Sequence, residues 1–358
     1  MFASQRNPTE LLPEHLDAYL AHGWYRMGQG IFTTHFLTFQ GDFFSALWLR
    51  LPLEGYTFKK RTARLIRQNL ARFRCEFHPA SIDEEKEALY QLYREDFPAP
   101  LSNSLSQSLL NGQNKNIFQT LEFRVYDGQK LVALSYFDLG VNSSASILGI
   151  YHPGYKKDSL GFFTMLMEIV YSMERGLHYF YPGYVAPGYP RFDYKLRIGE
   201  IEYLSMDKGT WKPYHTLDPS EVPLQKMKDK LRELINTLNE AGIPTHLYYY
   251  TLFESNLLGF WPSAFLDYPV IAMVENSTPS MQHYVLVFDP RANQFHLLEC
   301  TDLSSDTGIV LRKKPNSPHT DMAYFNELLE VKELIGSTSD RGTIVSKIRG
   351  IQEFSGSN

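Results

Sequence analysis

Residues 144–197 constrain this chain more than any other stretch. Residues 145–151, Ala-Ser-Ile-Leu-Gly-Ile-Tyr, are almost all apolar, the pattern of a strand covered on both faces. A helix is expected over 160–175, with Asp158 or Ser159 as its cap and Leu160, Phe163, Met167, Val170 and Met173 at helical spacing. Gly176 stops it, and Leu177, Tyr179 and Tyr181 open a second strand. Strand, helix and strand in such short succession predict a right-handed crossover with parallel strands. Sheets of this kind take ligands at the carboxyl ends of their strands and at the following helix N-terminus. Chemistry is therefore expected in the loops 152–159 and 181–194.

The flanking segments extend this unit. A helix is predicted over 8–22, capped by Asn7 with Pro8 in its first turn, then strands over 31–36 and 43–51. Helices are predicted over 83–97 and 102–110. Strands over 118–126 and 130–139 meet at Asp127-Gly128, a hairpin signal. A strand is expected over 200–206, closed by Trp211-Lys212-Pro213. A hairpin feeding a strand–helix–strand unit resembles the GNAT acyltransferase fold. The expected class is α+β: a mixed sheet with flanking helices, a small N-terminal β-rich module and a C-terminal α/β extension. The expected parts are residues 1–75, 76–215 and 216–358. In the extension we expect a polar helix over 220–241, strands near 247–253, 284–289 and 295–300, a helix near 323–334, and a mobile Ser/Thr/Gly-rich end from Gly336.

The net charge of −5 excludes polyanion binding by bulk charge, so a nucleic-acid partner needs a local basic patch. Residues 59–74 provide one. They hold seven basic side chains and no acid: Lys59, Lys60, Arg61, Arg64, Arg67, Arg72 and Arg74. On a helix, Arg61, Arg64 and Arg67 share one side and Leu65, Ile66 and Leu70 another. Such a face either is merely solvated or contacts phosphates. Two cysteines, Cys75 and Cys300, are too few for a disulfide framework, and no His/Asp/Glu spacing suggests a metal. The first thirty residues lack a signal-peptide core and no run reaches membrane-spanning length, so a soluble, cytoplasmic protein is expected. No particular oligomer is signalled.

A coenzyme A-dependent GNAT enzyme grips pyrophosphate with a Gly-rich loop at the helix N-terminus. Here that loop, 155–162, has one glycine and puts Asp158 where phosphates would sit. The residues instead resemble the aminoacyl-tRNA–protein transferases, the arginyl- and bacterial leucyl-transferases of the N-degron pathway. The resemblance rests on Tyr151-His152-Pro153, Leu160-Gly161, the segment Gly-Leu-His-Tyr-Phe-Tyr-Pro-Gly-Tyr over 176–184, Tyr194-Lys195 and Trp211. Toward the N-terminus it includes Gly23-Trp24-Tyr25-Arg26, Gly30, His35 and the basic run. It spans residues 15–215. The chain departs from that family in three places. Phe36, Phe39 and their neighbours stand where a cysteine cluster is usual, so no metal or cluster is expected. Pro182 replaces a leucine, and Phe192-Asp193 replaces Lys-Met.

The resemblance implies transfer of arginine or leucine from an aminoacyl-tRNA to the N-terminal amine of an acceptor protein, one with an acidic N-terminus. It implies no cofactor beyond aminoacyl-tRNA as co-substrate, and as partners the tRNA and a peptide N-terminus, without a membrane. The ester is already activated, so positioning and oxyanion stabilisation matter most. Backbone amides near 149–151 are the expected oxyanion donors. Tyr184, Tyr194 and His152 are the candidate catalytic residues, the tyrosines as proton shuttles to the leaving ribose hydroxyl. Tyr151, Ser159, Gly161 and Gly183 are expected to line the substrate site. Lys195 and Arg197, read as alternating on a strand, would join Arg191 in binding an acidic acceptor side chain. Lys59, Lys60, Arg61, Arg64 and Arg67 would hold the tRNA. Each tyrosine could equally be a packed core residue. Two rivals stand: a coenzyme A-dependent acetyltransferase with a degenerate loop, and a relative that binds peptide or RNA without transfer.

Overall fold

The computed structural model describes residues 2–258, 264–275, 282–302 and 322–355. Its centre is an eight-stranded sheet in the order Thr210–Pro213, Glu202–Ser205, Leu47–Pro52, Tyr179–Val185, Ser143–Tyr151, Lys130–Leu139, Thr120–Asp127, Arg74–Pro79. Every neighbouring pair is antiparallel except Ser143–Tyr151 with Tyr179–Val185, which run parallel. Helix Leu160–Glu174 makes the crossover between those two, so the GNAT-like α+β arrangement holds.

Local chemistry sets most of the elements. Asp83 caps Glu84–Asp96 by accepting from the Lys86 amide at 3.0 Å, and Ser104 caps Leu105–Leu110 in the same way. Gly128 supplies the positive φ of the hairpin turn. Helix Pro13–Ala21 starts at Pro13 rather than near Pro8, because Pro13 occupies the first helical turn where a missing N–H costs nothing.

The expected division at residue 75 runs through this sheet. Strand Leu47–Pro52 pairs directly with Tyr179–Val185, and helix Lys60–Arg72 packs on Leu160–Glu174. The remainder of the N-terminal segment forms a three-stranded sheet of Ala3–Arg6, Gly30–Thr34 and Tyr25–Met27, plus a hairpin of Phe36–Phe39 and Asp42–Ser45. Phe2, Phe36 and Phe43 enter the core of the C-terminal extension, so that extension is fastened to the N-terminus.

The extension is helix Pro223–Glu240 against a six-stranded sheet: Ala323–Phe325, Thr245–Tyr250, Val270–Val274, Gln282–Asp289, Gln294–Asp302, Leu329–Thr338. Two expectations fail here. Residues 323–334 are not a helix but fall in two strands, Ala323–Phe325 and Leu329–Thr338, the second because Leu329 and Val331 alternate with Glu330 and Lys332 against the neighbouring Gln294–Asp302. The end from Gly336 continues as strand to Thr338 and then as helix Arg341–Ser355, whose Ile344 and Ile348 are buried in the same core. No helix among the described residues is long and apolar enough to cross a membrane.

Candidate active site

The two parallel strands pair only over Ser143–Ala145 with Tyr179–Tyr181. Beyond that they part, and two irregularities widen the gap. One is a bulge between Ser146 and Leu148, the other a bulge between Phe180 and Gly183. The hydroxyl of Tyr25 sits 2.6 Å from the carbonyls of both Ser146 and Tyr181, one on each strand, and pins them where they separate. A cavity of about 630 Å³ opens in the wedge, closed at the back by the start of helix Leu160–Glu174. The backbone irregularity lies at 146–148, earlier than the 149–151 amides expected to serve an oxyanion. Residues 149–151 are regularly registered with Ser135, Leu134 and Ala133.

Most of the expected substrate residues converge on this wedge. Tyr151, Ser159, Gly161, Gly183, Tyr184, Arg191, Tyr194 and Lys195 all line it. Gly161 faces the Tyr151 ring so closely that an added Cβ would meet it at 3.0 Å. Gly183 has φ +91°, and its missing Cβ leaves room for the Lys195 ammonium. Tyr184 and Tyr194 are pushed up to about 12, both by burial first; the Glu168 carboxyl adds to the shift of Tyr194.

Three residues are not where the sequence suggested. Pro190–Arg197 is a 3-10 helix, not a strand, because Pro190 starts it and a three-residue spacing turns Lys195 and Ile198 inward. Lys195 and Arg197 therefore do not share a face. Lys195 is buried and donates to the Tyr184 carbonyl at 2.9 Å, whereas Arg197 is exposed, lies over the Phe162 ring at 4.9 Å and does not line the cavity. His152 lies outside the wedge as well. Its Nδ1 accepts from the Gly154 amide at 3.1 Å, its Nε2 faces the Lys130 ammonium at 3.1 Å, and burial with that ammonium lowers its pKa.

Burial pushes Lys195 down to about 7, so near neutrality the ammonium has only a marginal hold on its proton. Arg191 rests over the Phe97 ring at 4.5 Å. Lys156, also on the wall, is paired with Asp96 at 2.8 Å. Sequence reasoning missed Tyr25, Trp48, Tyr93 and above all Glu168. Among the described residues Glu168 is the only acidic side chain on the cavity wall, and it is fully buried. A signal for it existed: between Leu160 and Met173 it is the only charged residue.

The basic run forms helix Lys60–Arg72, with Lys59 at its N-cap. Thr62, Ile66 and Asn69 are its buried residues, and Leu70 is exposed rather than inward. Lys60, Arg61, Arg64 and Arg67 are exposed and make no ion pair among the described residues; Lys59 reaches Glu200 at 3.4 Å. The helix is tied to the cavity rim. Asn69 donates to the Asp158 carbonyl at 3.0 Å, and Arg72 pairs with the Asp158 carboxylate at 2.5 Å.

Residues 77–205 match the family described as arginine-tRNA-protein transferase, C terminus. Through this segment the chain is similar to the aminoacyl-tRNA–protein transferase family. It is thus an aminoacyltransferase, and the family's reaction moves an amino acid from an aminoacyl-tRNA to a protein N-terminus. Similar proteins include an aspartate/glutamate leucyltransferase of Leptospira interrogans, 29% identical over 52% of this chain and 73% of the relative. One of the same name from Vibrio cholerae is 27% identical over 55% of this chain and 83% of the relative. Among solved structures, FemX is 9% identical with a TM-score of 0.33, covering 52% of this chain and 64% of FemX. The C-terminal domain of a putative lysylphosphatidylglycerol synthetase from Agrobacterium fabrum is 13% identical with a TM-score of 0.32, covering 39% of this chain and 47% of the other. Likeness that remote has no bearing on the reaction. All of these site residues except Tyr25 and Trp48 lie in or beside the matched segment, which the basic helix immediately precedes.

Proposed function

We propose that this aminoacyltransferase moves leucine from leucyl-tRNA to the N-terminal amine of proteins that begin with aspartate or glutamate. The observation that carries the reading is the electrostatic make-up of the wedge. Lys195 and Arg191 face it without a carboxylate partner among the described residues, and so suit an acidic acceptor side chain. Phe32, Trp48, Ile147 and Met165 give it an apolar wall that suits an aliphatic donor side chain. The names of the relatives support the same donor and acceptors.

In this reading the exposed arginines of Lys60–Arg72 track the tRNA backbone and lead its aminoacyl end into the wedge. Tyr194 or Tyr184, protonated at all working pH values, returns a proton to the ribose oxygen as the ester breaks. Coenzyme A fits the rim less well, since the Asp158 loop is locked by Asn69 and Arg72 and presents a carboxylate where a pyrophosphate would lie. The test offers labelled leucyl- or arginyl-tRNA with peptides beginning Asp, Glu or Ala. Label from leucine on Asp and Glu peptides supports the reading. Label only from arginine reassigns the donor, and equal label on the Ala peptide removes the role given to Lys195 and Arg191.

A further inference from the structure

Glu168 needs an account that packing does not give. It sits on helix Leu160–Glu174, wholly buried, and neither carboxylate oxygen has a hydrogen-bond partner among the described residues. A buried carboxyl left unsatisfied costs free energy that an apolar residue would save. Elsewhere in the same sheet buried acids are paired, Glu122 with Lys86 at 2.9 Å and Asp138 with Arg26 at 2.8 Å. Glu168 differs from them in lining a cavity.

The groups that face it come from every neighbouring element. Ser135 and Ser146, on the two antiparallel strands beneath, oppose its shift without closing a hydrogen bond. Tyr25 and Tyr194 feel its charge from the N-terminal sheet and from the 3-10 helix. The Arg26–Asp138 pair, Lys195, Arg191 and the Asp96-paired Lys156 are the other charged groups around this cavity, yet burial is the dominant cause for Glu168 and holds its carboxyl at about 8.

We propose that Glu168 is the amine-binding and proton-accepting residue of this cavity, taking a substrate primary ammonium, the acceptor N-terminus, as its missing partner. This rests on the transfer reading above and deepens it. The ammonium seats against the carboxylate and gives it one proton, which frees the nitrogen lone pair. That nitrogen forms the new C–N bond to the ester carbonyl carbon as the ester C–O bond breaks. The second proton shed by nitrogen passes through the Tyr194 hydroxyl to the ribose oxygen. Glu168 returns its own proton to solvent after product leaves. An α-amine titrates near 8, so the matched carboxyl exchanges a proton with little driving force lost in either direction.

The test uses the full chain, an Asp-Ala-Ala peptide amide and its N-acetylated form, with calorimetry at pH 9 in two buffers of different ionisation enthalpy. Both amine and Glu168 are then largely deprotonated, and the pair must share one proton when it forms. The wild type is expected to take up about one proton more than Glu168→Gln on binding the free-amine peptide, and no more than the variant on binding the acetylated one. Any uptake at Lys195 is common to both proteins and cancels. In single-turnover transfer, Glu168→Gln should be slower by roughly 10²–10³-fold with tRNA affinity unchanged, and Glu168→Asp should recover part of the rate. A folded Glu168→Gln with wild-type proton uptake, or no binding of the free-amine peptide by the wild type, overturns the proposal. A proton difference in a wild type that transfers no amino acid keeps the amine site and removes the transferase reading instead.

Discussion

Of the places where the central sheet buries charge, two do so in opposite ways. At the Thr120–Asp127 end, Lys86 reaches Glu122 at 2.9 Å and the Ser81 carbonyl at 3.1 Å, while Glu122 also accepts from the Ser81 amide and the Arg124 guanidinium. Both charges are closed off by protein. In the wedge between Ser143–Tyr151 and Tyr179–Val185, among the described residues Glu168 has no hydrogen-bond partner, and Lys195 has the Tyr184 carbonyl and the rings of Tyr184 and Phe192 but no carboxylate. The first cluster holds a strand to a helix and faces nothing. The second sets its groups against a cavity, and burial is the first cause of their shifts. Unpaired burial beside a cavity is a mark of a site, whereas paired burial is a mark of scaffolding.

Breaking the scaffolding should be costly. Glu122→Leu strands the Lys86 charge beside Arg124 and is expected to lower unfolding stability by about 3–5 kcal/mol in urea titrations. Changing the wedge should have the opposite sign. Lys195 holds its proton less tightly folded than unfolded, so stability rises as pH climbs from about 7 through the ordinary lysine range. Lys195→Met should therefore stabilise by about 2 kcal/mol at pH 6 and lose that advantage by pH 10. Glu168 holds its proton more tightly folded than unfolded, so its cost is absent below the ordinary carboxyl range and complete above about 8. Glu168→Gln should stabilise by about 1–3 kcal/mol at pH 8 and by nothing near pH 4. Thermal melts across pH for both variants would show the two opposed trends. The smallest effect on stability, within about 0.5 kcal/mol, is expected for Arg61, Arg64 and Arg67 changed together to alanine. There the change appears in tRNA binding, whose salt dependence should fall by about 2–3 in slope.

The place of the wedge, though not the buried charges on either side of the contrast, could be read from the sequence. The apolar strand, the helix after Ser159 and the aromatic second strand fixed the wedge, and eight of the residues named for substrate or catalysis line it. The wedge itself arises from bulges at Ser146–Leu148 and Phe180–Gly183, and register shifts leave no periodic signal in a strand that is apolar throughout. Lys195 and Arg197 looked like strand neighbours until the 3-10 turn after Pro190 separated them. Residues 323–334 read as helix because Glu330, Lys332 and Glu333 mask a period of two that only pairing with Gln294–Asp302 enforces. His35 precedes an aromatic hairpin in which Phe39 stacks on Tyr189 at 4.7 Å, a long-range contact no local pattern reports.

The most direct measurement is label transfer from leucyl-tRNA to a peptide beginning with aspartate, by the full chain and by the Tyr194→Phe, Lys195→Met double variant. The account predicts label on the peptide with the unchanged chain, and a loss of at least about a hundredfold in the variant while leucyl-tRNA still binds. Undiminished transfer by the variant, or none by the unchanged chain while it binds leucyl-tRNA, would contradict a transfer site in the wedge.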